Sequence, residues 1–179
     1  MRSAADGQRA LYTGLEAEAR SVTAALCEPS PDQAEENAPG PAQHAATGPR
    51  AAGHEADYEL LLEMIHEGTR LHYGHPRVFA TDDADLRLLL GDRLYAAGLA
   101  RLAEIGDLVA VAELADLISL QAQAQARRDP ELAAAVWVAG ARAIGWGGGP
   151  EHEAAKALAR SEDPSAREAL LRAADVVGA

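Results

Sequence analysis

His66 and His72 stand six residues apart in Met64-Ile65-His66-Glu67-Gly68-Thr69-Arg70-Leu71-His72, and His75 follows Tyr73-Gly74. Imidazoles grouped in this way can ligate a metal or carry a proton near neutral pH. Glu63 lies three residues before His66. A Glu-x-x-His pair puts a carboxylate and an imidazole on one helix face, the arrangement by which helical bundles hold a di-iron centre. Such a centre needs further inward carboxylates. Glu104 and Glu113 are the nearest candidates, and the chain has no second Glu-x-x-His. The simpler reading keeps the histidines as packing and hydrogen-bonding groups, with Glu63 and His66 as the alternative metal pair.

Other polar clusters have structural readings. Asp82-Asp83-Ala84-Asp85 looks like an aspartate-rich metal motif but sits where a helix should begin, and acidic residues there cap free N–H groups. Gly147-Gly148-Gly149 lacks the Lys-Ser/Thr of a phosphate loop and ends a helix instead. Trp137 and Trp146 are expected at helix surfaces or ends. Gln121, Gln123 and Gln125 alternate with alanine and so point around their helix. Nothing marks Cys27 as an activated thiol. No catalytic residue is assigned.

Helices must position these groups. The 179 residues are 48% hydrophobic but only 4% aromatic, and the alanine and leucine behind that figure are strong helix formers. The expected fold class is all-α, an antiparallel helical bundle. Leu11, Leu15, Val22 and Leu26 recur at helical spacing, which predicts an amphipathic N-terminal helix over residues 1–27. Residues 28–56 hold five of the nine prolines and no Leu, Ile, Val or aromatic residue. A flexible linker is expected there, because so little apolar surface cannot offset the entropy of ordering. The helical domain then covers 57–179.

Within that domain one helix runs from an Asp57 cap to His72, burying Leu61, Leu62, Ile65 and Leu71. Another runs from Asp82 or Asp83 to Ile105 and is apolar nearly all round, so it is central or lies at an interface. After a Gly106-Asp107 turn, residues 108–127 place Leu108, Val111, Ala115, Ile118 and Ala122 on one face. Asp129-Pro130 opens the next helix, which carries Leu132, Val136, Ala139 and Ala143. Helices over about 151–160 and 164–177 end the chain.

A net charge of −12 disfavours nucleic acid as a partner. One cysteine rules out an internal disulfide and a multi-cysteine zinc site. The start, Met1-Arg2-Ser3-Ala4-Ala5-Asp6, has no apolar signal core, and no run is long enough for a membrane span. A soluble cytoplasmic protein is expected.

Over about residues 58–126, and most clearly from Leu62 to Leu102, the chain resembles the trans-prenyl (polyprenyl) diphosphate synthases. Their helix carries two histidines at the spacing of His66 and His72, followed at once by two aspartates; here Tyr73-Gly74 take that place. Gly74-His75-Pro76-Arg77-Val78-Phe79 is similar to the family's Gly-x-Pro-Thr-Val-His, and Leu90-Gly91-Asp92-Arg93-Leu94 to its Ala-Gly-Asp-x-Leu. Gln121 loosely matches a later family glutamine. The metal motif between the second histidine and the turn is shortened. The second aspartate motif and the Lys-Thr pair are missing, Asp175 stands alone, and Arg70 and Arg77 do not match the diphosphate-binding positions. Mg²⁺ requires oxygen ligands that Tyr73-Gly74 cannot supply.

The resemblance implies a truncated prenyl synthase fold and a non-catalytic small subunit with no cofactor of its own. Its partner would be a catalytic prenyl diphosphate synthase that holds Mg²⁺ and makes long-chain isoprenoids for quinone side chains. The implied interface spans residues 83–126, through Leu86, Leu90, Leu94, Leu99, Leu102, Val111 and Ile118. A homodimer, a metal-binding bundle and a helical interaction adaptor that docks through its first helix are the alternatives.

Overall fold

A computed structural model describes residues 2–18 and 38–176, with side chains at 16–18 and 176 left aside. The described chain is helical, as its composition predicts: α1 Ala4–Glu18, α2 Pro41–Ala46, a 3₁₀ turn Pro49–Ala51, α3 Glu55–Tyr73, α4 Ala84–Ile105, α5 Leu108–Ala126, α6 Pro130–Trp146, α7 Pro150–Arg160 and α8 Ala166–Val176. Val22, Leu26 and Cys27 lie outside the described residues.

Capping chemistry sets most of the boundaries. Asp83 accepts from Leu86 N, Asp107 from Ala110 N and Asp129 from Leu132 N, each at 2.9–3.0 Å. Helix α6 starts on Pro130, and Gly106, at φ +83°, ends α4. The acidic run at 82–85 is therefore a cap. The N-cap of α3 lies three residues earlier than expected: it is His54, and Asp57 falls in the first turn.

Helix α3 forms the axis. Its Leu61, Leu62 and Ile65 join Leu114, Leu117, Val136 and Ile144 in the main core. Its Met64 and Leu71 join Leu11, Leu15, Val78, Phe79, Leu90 and Leu94 in a second core. Helix α4 runs antiparallel to α3, since a side chain at Gly91 would strike His72 and one at Gly98 would strike Ile65. Helix α6 runs antiparallel to α5, with Gly140 against Leu117 and Gln121 bonded to Ala133 O.

Four expectations change. First, residues 41–51 are not a linker. Ala42, Ala45, Ala46 and Ala51 are buried, and α2 lies on α6. A Cβ on Gly145 would lie 2.0 Å from Ala45 O, and one on Gly48 2.1 Å from Gly145 O. The two backbones touch, so alanines alone seal the contact, and a count of large apolar residues misses it. Trp146 donates its indole N–H to His44 O at 3.1 Å. Second, α1 is not a tethered docking peptide over its described length, because Leu11 and Leu15 are already buried in the second core.

Third, α4 is not buried on all sides. Leu90, Leu94 and Leu102 are interior, whereas Leu88 and Leu89 face outward. The expected interface set is thus mostly spent within the chain. Leu86 packs on the second core, and Leu99, Val111 and Ile118 pack on the main one. Fourth, α5 buries Ala110, Leu114, Leu117, Leu120, Gln121 and Ala124, while Leu108 and Ala115 are exposed. Several stripes of so apolar a helix satisfy the 3.6-residue period, so periodicity does not choose among them.

Gly145→Ala should lower stability by about 1–3 kcal/mol, the usual cost of overpacking a tight contact. Urea unfolding measures the loss, and limited proteolysis should show faster cleavage within residues 38–54. An unchanged midpoint and cleavage pattern would mean that α2 is not docked.

Candidate functional site

Glu59, Glu63 and Glu67 repeat at i, i+4 and i+8, so they line one face of α3, and all three are buried. Each must therefore be paired. Glu67 accepts from the backbone N–H groups of Arg77 and Val78 and from Arg77 Nε, at 2.6–3.0 Å. Glu63 Oε2 accepts from Arg77 at 2.7 Å, and its Oε1 accepts from Gln43 Nε2 at 3.0 Å. Glu59 takes Gln43 Nε2 at 3.3 Å and Arg2 at 3.2 Å. Burial works against the charge of Arg77, but the carboxylates of Glu63 and Glu67 outweigh it and hold its proton more tightly than usual.

This network occupies the alternative metal pair. Both oxygens of Glu63 are engaged, while His66 stacks on Trp137 with centroids 4.4 Å apart. Glu104 is exposed on α4, and Glu113 belongs to a different network. Among the described residues, no three His, Cys, Asp or Glu gather into a cation site. The spacing of Arg77 does not announce its role, because its partners Glu63 and Glu67 lie fourteen and ten residues back and meet it only when the chain turns onto α3. The Glu59-Glu63-Glu67 repeat was the available signal.

The other landmarks do converge. The His72 ring stacks on Tyr95 at 5.2 Å, its Nε2 lies 3.2 Å from Asp92 Oδ1, and the backbone of Gly91 passes beneath it. Tyr73, where the resemblance expects an acid, is half exposed.

Beside Tyr73 and Gly74 a cleft of about 420 Å³ opens between α3, α5 and α6. Polar groups from His66, Arg70 and Gln121 reach its wall, and no Asp or Glu does among the described residues. Trp137 closes its apolar side. It is 5% exposed, not at a helix surface as expected, and its indole N–H has no hydrogen-bond partner among the described residues. Burial, and then the charges of Arg77 and Arg70, push His66 well below the ordinary imidazole range, so it is neutral at pH 7.

A second buried network ties α7 to α5. Glu113 accepts from Lys156 at 2.7 Å and shares a 2.6 Å hydrogen bond with His152. Lys156 also meets Asp116 and Glu153, and Arg160 meets Asp116. Every carboxylate here has a cation opposite, which is the arrangement of a structural clasp.

No family model, curated protein or solved structure matches the chain.

Arg77→Met should strand Glu63 and Glu67 as buried anions and cost about 3–5 kcal/mol, measured by chemical unfolding. A loss near zero would contradict the pairing. Glu113 gives a pH signature. Burial raises its pKa, but the hydrogen bonds from His152 and Lys156 win and leave it below the usual 4.5. A lowered carboxylate stabilises the fold above its unfolded value, and that stability is lost as pH falls through the folded value. Melting temperature should thus drop below pH 4.5, and less steeply in Glu113→Gln, in a thermal series from pH 6 to pH 3.

Proposed function

We propose that the chain is a non-catalytic subunit that pairs with a catalytic prenyl diphosphate synthase and helps set the length of the isoprenoid product. The observation that carries this reading is the cleft beside Tyr73-Gly74. It lies where the resemblance expects a diphosphate-binding aspartate cluster, and no Asp or Glu stands on its wall among the described residues. Chemistry that depends on Mg²⁺ bridging carboxylates to a diphosphate has no ligands there. The scaffold elements around it fit the reading as well, since His72 rests on Gly91-Asp92.

The pairing surface moves within the same two helices. The residues first expected there are largely interior, but Leu88 and Leu89 on α4 and Leu108 and Val109 on α5 are exposed by 48–75%. Leu88 and Leu89 stand near the start of α4 and Leu108 and Val109 just past its end, about 25 Å apart at the rise of an α-helix, so they form two separate apolar patches, each suited to a protein contact. The implied partner carries both aspartate motifs, binds Mg²⁺ and supplies the catalysis for quinone side-chain synthesis.

The test uses the purified full chain and the catalytic prenyl diphosphate synthase of the same organism, with Mg²⁺, isopentenyl diphosphate and an allylic primer. The chain alone should make no product. Added to the catalytic subunit, it should raise turnover or shift product length. Elongation by the isolated chain, or an unchanged product distribution in the mixture, would overturn the proposal.

A further inference from the structure

The side chains around the cleft between α3, α5 and α6 leave a definite set of hydrogen-bonding atoms open. Gln121 is 4% exposed, and its Nε2 donates to Ala133 O at 2.6 Å. Donation to a carbonyl fixes which end of the amide is nitrogen, so Oε1 lies at the other end, and it has no partner among the described residues. His66 stacks on Trp137, and neither of its ring nitrogens has a hydrogen-bond partner among the described residues. The polar side-chain atoms that are both unpartnered and sealed from solvent belong to Arg70, His72, Arg87 and Trp137. Those of Gln121 and His66 are therefore reachable, and the cleft is the space that both residues line. An amide oxygen left unpaired on so buried a residue calls for a donor.

These open atoms belong to uncharged groups. Burial keeps His66 neutral at pH 7, and no Asp or Glu stands on the wall among the described residues. Arg70 is engaged: its Nη1 donates to His75 O at 3.3 Å, and it has a further partner. Much of the remaining lining is aromatic or aliphatic, with the Trp137 ring stacked on His66 at 22° between planes and Pro130, Ala133 and Val138 also on the wall. The volume of about 420 Å³ falls within the ~300–1,000 Å³ range of small-molecule pockets. We infer that this cleft binds a neutral aromatic molecule that donates a hydrogen bond from its edge to Gln121 Oε1. A phenol O–H and a heterocyclic N–H share that chemistry. A neutral imidazole has one nitrogen that donates and one that accepts, so His66 serves a second polar atom on the same ligand. The inference does not depend on subunit pairing, because the cleft belongs to one chain.

Equilibrium dialysis of the full chain at pH 7 tests it with probes that differ by one group. 2-Naphthol and 2-quinolinone carry the donor, 2-methoxynaphthalene and N-methyl-2-quinolinone lack it, and 2-naphthoate adds a charge. At least one of the two donors should bind saturably, and at least tenfold more tightly than its methylated analogue and than 2-naphthoate; the tighter donor identifies the donating atom. Gln121→Met keeps the side-chain length and removes the amide oxygen, so it should weaken that donor about tenfold and leave its methylated analogue unchanged. Ala134 lines the cleft and is exposed, so Ala134→Phe fills the cleft without disturbing the core, and it should abolish binding. Circular dichroism checks that both variants remain folded.

No saturable binding of either donor would overturn the inference and leave the cleft to water. Binding that survives Ala134→Phe would place the ligand elsewhere and overturn it too. A methylated analogue that binds as tightly as its parent, or a donor indifferent to Gln121→Met in a folded chain, would contradict the role of the amide oxygen. Equal or tighter binding of 2-naphthoate would contradict the preference for a neutral ligand. Pairing with a synthase is read separately, by product length, so the two proposals can fail independently.

Discussion

The Arg77 guanidinium, held between Glu63 and Glu67, is the interaction on which the rest of the molecule depends. Two carboxylates on the buried face of α3 need a cation, and the chain supplies it from the segment just beyond the helix. Satisfying them pins that segment back onto α3, with Val78 N–H also donating to Glu67. Val78 and Phe79 are thereby drawn into the second core, and the chain turns so that α4 returns alongside α3. Gln43 bridges Glu59 and Glu63 from α2, and Gly7 of α1 lies so close to that bridge that a Cβ there would be 2.2 Å from Gln43 Nε2. One buried polar network thus orders three helices and a turn. Networks of this kind specify an arrangement as much as they stabilise it.

The cleft is a consequence of that arrangement. His66 lies one helical turn from Glu63, where it meets Trp137 instead of the carboxylates. The acids face one side of α3 and the cleft opens on another, so no carboxylate stands on its wall among the described residues. The same separation explains why a Glu-x-x-His spacing yields no metal pair here. Spacing places two residues on neighbouring parts of a helix surface, and the partners opposite each one decide its chemistry.

Much of the architecture was legible in the sequence. Helix limits followed from Asp83, Asp107, Asp129, Pro130 and Gly106, because capping is local chemistry between residues a few positions apart. The buried side of α3 followed from Leu61, Leu62, Ile65 and Leu71, where polar residues between them leave one choice of face. Where a helix is apolar on several sides, as in α4 and α5, periodicity did not select the face, and Leu90 and Leu94 proved interior while Leu88 and Leu89 did not. The docking of α2 was hidden because it rests on backbone contact at Gly48 and Gly145, with no large side chain to announce it. The cleft was hidden for a related reason: Gln121, Trp137 and His66 are far apart in sequence, and only the packing of α3, α5 and α6 assembles them.

On the proposed reading, this scaffold pairs with a catalytic subunit and has no metal chemistry of its own. Light scattering coupled to size exclusion tests it most directly, on the chain mixed with the catalytic prenyl diphosphate synthase of its organism. A heteromeric species of defined mass is expected, and it should be lost on Leu89→Glu combined with Val109→Glu, with each variant chain still helical. Two separate peaks at micromolar concentrations, or a complex indifferent to that double substitution, would contradict it.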